Sequence, residues 1–171
     1  MNDQPGRLWA PWRLEYINSA VREPEGCFLC EAFNSSADRE HLVLYRTPLA
    51  FAVMNLFPYN NGHLLIAPNR HLAGLDDLSS DELSAVAELT RTATHWINRA
   101  YQPHGYNIGL NLGRVAGAGL PGHLHFHIVP RWNGDTNFMP VLGCVKVVSE
   151  GLQASYDRIY EVIRELDVGG S

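Results

Sequence analysis

The run His123-Leu124-His125-Phe126-His127-Ile128 places three imidazoles on alternate residues of an otherwise apolar stretch. A period of two is the period of a β-strand. All three imidazoles are therefore expected on one face, with Leu124, Phe126 and Ile128 turned into a core. That demands a sheet with one side packed and the other carrying polar chemistry. Side chains two residues apart on a strand stand roughly 6.6 Å from each other, too far for all three to share one ion without distortion. Two can share one when a further ligand comes from elsewhere. From this run alone, a metal site and packed histidines are both open readings.

Other segments supply the sheet. His41–Arg46, Ala50–Asn55, His63–Pro68 and Tyr106–Leu112 read as strands alongside His123–Pro130, separated by turn-forming Thr47-Pro48 and by Pro58 to Gly62. Ser79 with Glu82 forms a capping box ahead of Leu83, Val86, Ala87, Thr90, Ala93, Ile97 and Tyr101, which predicts a helix over 80–101 closed by Pro103 and Gly105. A second helix near 151–166 puts Leu152, Tyr156, Ile159, Tyr160, Ile163 and Leu166 on one face. A helix set among antiparallel-looking strands points to an α+β domain. Residues 1–26, with Trp9, Trp12 and Tyr16, read as an arm lying on the domain or on a partner subunit; 27–171 read as a single domain, a size suited to 171 residues.

Bulk properties narrow the class. A net charge of −5 argues against a surface that coats nucleic acid, and no nucleic-acid partner is expected. No apolar run approaches the roughly 20 residues that span a bilayer. The opening residues lack a secretory pattern, so a cytoplasmic location with no membrane partner is expected. Of three cysteines, Cys27 and Cys30 form a Cys-x-x-Cys, which in a reducing compartment suggests a metal or redox pair. Cys144 reads as a small buried core residue.

Upstream of the histidines lies Asn111-Leu-Gly-Arg-Val-Ala-Gly117-Ala118-Gly119, a glycine-rich loop. Alone it is more often a plain turn. Directly before three imidazoles it becomes a phosphate cradle, because small residues let backbone N–H groups approach an anion. A neutral imidazole nitrogen can attack phosphorus and divide one displacement into two easier ones.

HLHFHIV matches the histidine triad (HIT) pattern, and FAVMNLFPYNNGHLLIAPNRH resembles that family's upstream segment with its Asn, Gly-His pair and Pro-x-x-His. The resemblance spans Cys27 to Trp132. LWAPWR, NLFPYNNGH, HGYNIGLNLG and PRWNGDTNFM are similar to the bacterial diadenosine tetraphosphate phosphorylase-like branch. The resemblance implies a five-stranded antiparallel sheet with a long helix and a C-terminal helix. It also implies a homodimer with a continuous ten-stranded arrangement, or a tetramer built through the aromatic arm and Trp132.

For the site, it implies His125 as the nucleophile toward the α-phosphorus of a nucleotide, adenine nucleotides foremost, with His127 and His63 holding phosphate oxygens. Asn111, with Gly117, Ala118 and Gly119, matches the phosphate loop; Asn55 matches the ribose-binding residue, with Leu56 and Phe57 near the base. Cys27, Cys30, His71 and His123 match a structural zinc set, Cys27 and Cys30 being otherwise simply half-buried. His41, His95 and His104 are left as surface or helix-end residues. HIT hydrolases carry Gln or Ser where this chain has Gly119, and the phosphorylase branch has Gly-Ser at Ala118-Gly119, so here only backbone donors remain. The expected activity is a nucleotide hydrolase or nucleotidyltransferase on dinucleoside polyphosphates or adenylylated small molecules. Water is the preferred acceptor and inorganic phosphate the alternative. A low-turnover nucleotide-binding module is a further reading, and a metalloenzyme using the triad face directly is a weaker one.

Overall fold

The computed structural model describes residues 26–135 and 149–169. The arm, Cys144 and the end of the PRWNGDTNFM segment lie outside these residues. In chain order the elements are α1 (Phe28–Asn34), β1 (Val43–Arg46), β2 (Ala50–Met54), β3 (Leu64–Pro68), α2 (Ser80–Tyr101), β4 (Gly105–Leu110), β5 (Phe126–Arg131) and α3 (Leu152–Gly169). The five strands form one sheet in the order β1-β2-β3-β5-β4, and every neighbouring pair is antiparallel. This is the expected α+β arrangement.

Register decides which face each residue serves, because directly paired residues share a face. Arg46 pairs with Phe51, and Val53, two residues on, pairs with Leu65, which pairs with His127. These side chains therefore share one face. On that face Phe33 of α1 packs its ring 5.3 Å from Phe51, and Arg46 donates to the α1 carbonyls of Ala32 and Phe33. Tyr45, Ala52, Ile66 and Phe126 occupy the opposite face, where Trp96 of α2 stands 5.4 Å from Tyr45. With α1 on one side and α2 on the other, β2 and β3 are buried at every position. Ala, Val, Leu and Ile runs without alternation suit such strands.

α2 begins where the capping box requires. Ser79 Oγ accepts from Glu82 N–H, and Glu82 Oε2 accepts from Ser79 N–H at 2.8 Å. Arg70 clamps the same carboxylate at 2.8 and 2.9 Å. α3 docks through buried Tyr156, Ile159 and Ile163, and Tyr156 Oη donates to Val43 O.

One expectation is corrected. The strand predicted from His123 starts only at Phe126, so His123 and His125 precede the ladder and do not lie on a three-histidine strand face. The cause is a contact distant in sequence: Leu124 N–H donates to Leu72 O at 2.7 Å, which draws this segment to the chain after β3. His41, predicted at a strand start, likewise precedes β1, and β4 ends at Leu110 before Asn111.

Candidate active site and metal centre

Each triad histidine is held by a different backbone group, and each group settles where the ring's proton sits. His123 donates Nε2–H to Pro68 O at 2.9 Å, leaving the Nδ1 lone pair toward Cys27 and Cys30. His125 donates Nδ1–H to His123 O at 2.7 Å, leaving its lone pair on Nε2. At His127 the proton is set at one remove. Tyr59 N–H donates to His63 Nδ1 at 3.0 Å, so a neutral His63 carries its proton on Nε2. That nitrogen lies 3.0 Å from His127 Nδ1 and donates to it, which places the His127 proton on Nε2. A main-chain amide in a turn thus makes His127 a donor, while a main-chain carbonyl makes His125 a base.

His125 Nε2 has no hydrogen-bond partner among the described residues. The fully enclosed side-chain polar atoms lacking a partner among those residues are Asn61 Oδ1 and Asn69 Oδ1. The His125 nitrogen therefore still reaches solvent, although the residue is 7% exposed. Its ring stands edge-on to His127 with centroids 5.0 Å apart. Burial lowers the pKa of His123 and His125, and burial followed by the neighbouring His125 lowers His127 to about 4. The three rings are neutral at pH 7, the state in which an imidazole has a lone pair to offer.

The metal set comes together from three separate segments. Cys27 Sγ lies 3.3 Å from His123 Nδ1, and Cys30 Sγ lies 3.2 Å from His71 Nδ1 and 3.5 Å from His123 Nδ1. All four ligand atoms fall within 4.8 Å of one another, and the group could hold a metal ion. A tetrahedron with metal–sulfur bonds of about 2.3 Å and metal–nitrogen bonds of about 2.0 Å has S···N edges of about 3.5 Å. The distances fit. Burial, then the hydrogen bond and charge of Cys27, push the Cys30 thiol up to about 11. Two thiolates here need a cation between them. His123 Nε2–H on Pro68 O and Cys30 N–H on Cys27 Sγ are the outer contacts that orient such ligands.

The remaining predicted residues sit around the histidines with varied roles. Asn55 Oδ1 accepts from Phe57 N–H at 3.0 Å, and its amide nitrogen lies 3.3 Å from His63 Nδ1, so it both turns the chain and contacts the site. Leu56 and Phe57 form exposed lips, Phe57 being 81% exposed. Asn111 Nδ2 reaches Gly117 O at 3.4 Å. In the glycine loop, Gly117 N–H and Ala118 N–H are taken by Arg114 O and Gly113 O, at 2.9 and 3.2 Å. Ala118 is buried, and Gly119 is exposed. His95 and His104 are exposed, and His41 is half-buried.

Three contributors escaped sequence reasoning. Tyr59 stacks within 21° of His127 and stands 4.8 Å from His63. Asn60 is buried and ties the turn to β5 through Pro130 O and Asp135, both at 2.9 Å. Tyr101 backs Gly62, whose φ is +69°. The sequence signal was available only for Gly62, since a Gly before a His in a turn suggests a positive φ.

The HIT domain family model matches residues 36–134. The AP-4-A phosphorylase of Mycobacterium tuberculosis is 41% identical over 157 residues, covering 88% of this chain and 80% of that protein. The asymmetrical bis(5'-nucleosyl)-tetraphosphatase of Schizosaccharomyces pombe is 38% identical over 93 residues, covering 54% of this chain and 50% of that one. A zinc-bound histidine triad family protein from Mycobacterium smegmatis shares the fold, with a TM-score of 0.66 at 21% identity, over 84% of this chain and 97% of its own. The chain belongs to the HIT domain family.

Proposed function

We propose that the protein is a nucleotide hydrolase or nucleotidyltransferase that attacks the α-phosphorus of dinucleoside polyphosphates or adenylylated small molecules, with His125 as nucleophile. The single observation that carries this reading is the His125 ring: neutral, held through Nδ1–H on His123 O, with Nε2 unpartnered and in contact with solvent. In the first step a bond forms from Nε2 to phosphorus, and the bond from phosphorus to the bridging oxygen breaks. The leaving group departs with the electron pair. The imidazolium so formed keeps its Nδ1–H, and the His123 carbonyl stabilises its charge. His127 Nε2–H is a fixed donor for an oxygen on phosphorus, poised without reorganisation. In the second step an acceptor oxygen forms a bond to phosphorus and gives its proton to solvent, while the Nε2–phosphorus bond breaks with its electron pair returning to Nε2, so His125 is neutral again.

Water is the acceptor in the leading reading, giving a nucleoside monophosphate. Inorganic phosphate is the second reading, favoured by the 41% identity to an AP-4-A phosphorylase. Incubation with diadenosine tetraphosphate should release AMP with water, or ADP when phosphate serves. His125→Ala should abolish release while the circular dichroism spectrum and melting temperature stay near wild type. Full turnover by that variant would refute the nucleophile.

Zinc is the metal we propose for Cys27, Cys30, His71 and His123, on the basis of the two-sulfur, two-nitrogen donor set and its tetrahedral spacing. With four protein ligands it would serve as a cross-link between α1, the chain after β3 and the triad segment. Asn55, Asn111 and Gly119 are proposed to bind the nucleotide, with Leu56 and Phe57 against the base; His63, expected to hold a phosphate oxygen itself, is buried with both ring nitrogens engaged and is proposed to act through His127. β4 is an edge strand with exposed Ile108, and pairing of two such edges would give the ten-stranded homodimer. Among the described residues no helix is long and apolar enough to cross a membrane, in keeping with a proposed cytoplasmic site of action.

A further inference from the structure

A groove lies beyond His127, on the side away from His123. Strand pairing aligns Asn107 with Val129 and Gly109 with His127, and Arg131 follows two residues after Val129 on the same face. At Gly109 nothing comes within 4 Å of where a Cβ would stand, so the floor beside His127 is open. The cavity has a volume of about 590 Å³ and is walled by Tyr59 and Asn60. This is within the range of small-ligand sites. Four residues of strand from His127 to Arg131 give it a length of about 13 Å, enough for a nucleoside.

Its chemistry selects among ligands. Arg131 is the one cation among the lining residues. Its guanidinium is already held by Asp135 at 2.6 and 2.9 Å and by Asn107 Oδ1 at 2.6 Å. The groove therefore offers little positive charge to a free polyphosphate end. It does offer a half-exposed aromatic face at Tyr59, together with the side-chain amides of Asn107 and Asn111. A planar base with a hydroxylated sugar matches that lining. A chain of bare phosphates does not.

We propose that this groove seats the distal nucleoside of a dinucleoside polyphosphate, with Tyr59 stacking its base. The site then favours substrates capped by a nucleoside at both ends over substrates ending in free phosphate. The proposal rests on the reading of His125 as nucleophile and adds where the departing half of the substrate lies. Tyr59 is a specificity-determining residue in this scheme, while its main-chain N–H separately holds His63.

The test compares kcat/KM for release of AMP (or of ADP, with inorganic phosphate present) from diadenosine tetraphosphate with that from adenosine 5'-tetraphosphate, using the full chain. Tyr59→Leu keeps an apolar cover over His63 and His127 but removes the aromatic face. Any disturbance of the imidazoles acts on both substrates and cancels in the ratio of the two constants. Wild type should prefer the dinucleotide, and Tyr59→Leu should lower that preference roughly tenfold, the lower range of base stacking on an aromatic ring. Tyr59→Phe should retain it. An unchanged ratio in Tyr59→Leu, or a wild type without preference, overturns the groove assignment and leaves the nucleophile standing. Wild type that releases from neither substrate AMP in water or ADP in the presence of inorganic phosphate overturns the nucleophile and the groove together.

Discussion

Gly62→Ala is expected to be among the most damaging single-methyl additions in the domain. Gly62 has φ +69°, and a Cβ there would lie 3.0 Å from Tyr101 Cε2, 3.2 Å from Tyr101 Cδ2 and 3.6 Å from Pro130 Cγ. The left-handed backbone alone costs a residue bearing a Cβ about 1–2 kcal/mol. Tyr101 cannot swing aside cheaply: its hydroxyl is bonded to Glu150 and Ser155, the Arg158 guanidinium stands 5.2 Å from its ring centroid, and Trp132 packs edge-on against it. Overpacking adds about 1–3 kcal/mol. The sum, about 2–5 kcal/mol, corresponds to a fall in Tm on the order of 10 °C for a chain of this size. Thermal unfolding followed by circular dichroism measures it. In a Tyr101→Leu background the clash is relieved, and the same substitution should cost about 1–2 kcal/mol, the backbone share alone. A Tm within 2 °C of wild type (about 1 kcal/mol or less), or an identical penalty in both backgrounds, would refute the reasoning.

Four further outcomes are expected. Purified protein prepared without chelators should contain about one zinc per chain, and Cys27→Ser should lose it and melt at a lower temperature, as measured by elemental analysis and calorimetry. Because His127 titrates at about 4 when folded, below the ordinary imidazole value, the unfolded chain takes up a proton first as pH falls. The stability this ring contributes is therefore full above about pH 6.5 and is lost from there down toward 4, so Tm at pH 5 should lie below Tm at pH 7.5. Arg46→Ala should cost about 1–3 kcal/mol in urea unfolding, because it strips donors from the carbonyls of Ala32, Phe33 and Ser35. Arg39→Ala removes an exposed pair with Asp157 and should leave the urea midpoint close to wild type.

The sheet and the long helix were legible because they obey short-range rules. The Ser79–Glu82 box marks the start of α2 to the residue, and unbroken apolar runs mark β2 and β3. The family resemblance picks out Cys27, Cys30, His71 and His123, whose ligand atoms the fold brings within 4.8 Å of one another, a group that could hold a metal ion. What periodicity could not give is the path of His123 and His125. Alternation of histidines reads as strand, yet Leu124 N–H is claimed by Leu72 and His123 Nε2–H by Pro68, both partners more than 50 residues away. Tyr59 was invisible for a related reason. An aromatic ring in a Pro-Tyr-Asn-Asn-Gly turn carries no pattern, and its place above His63 and His127 depends on the β3–β5 pairing.

The peptide of His123 joins two tasks that proteins commonly keep apart. Its ring belongs to the sulfur–nitrogen cluster, while its carbonyl steadies His125. Anchorage and aim are thus two ends of one residue, so stripping the cluster would unsettle the bearing of the His125 ring before the domain came undone. Replacing the cluster with an oily plug of equal volume could restore the melting temperature and still leave a blunted enzyme.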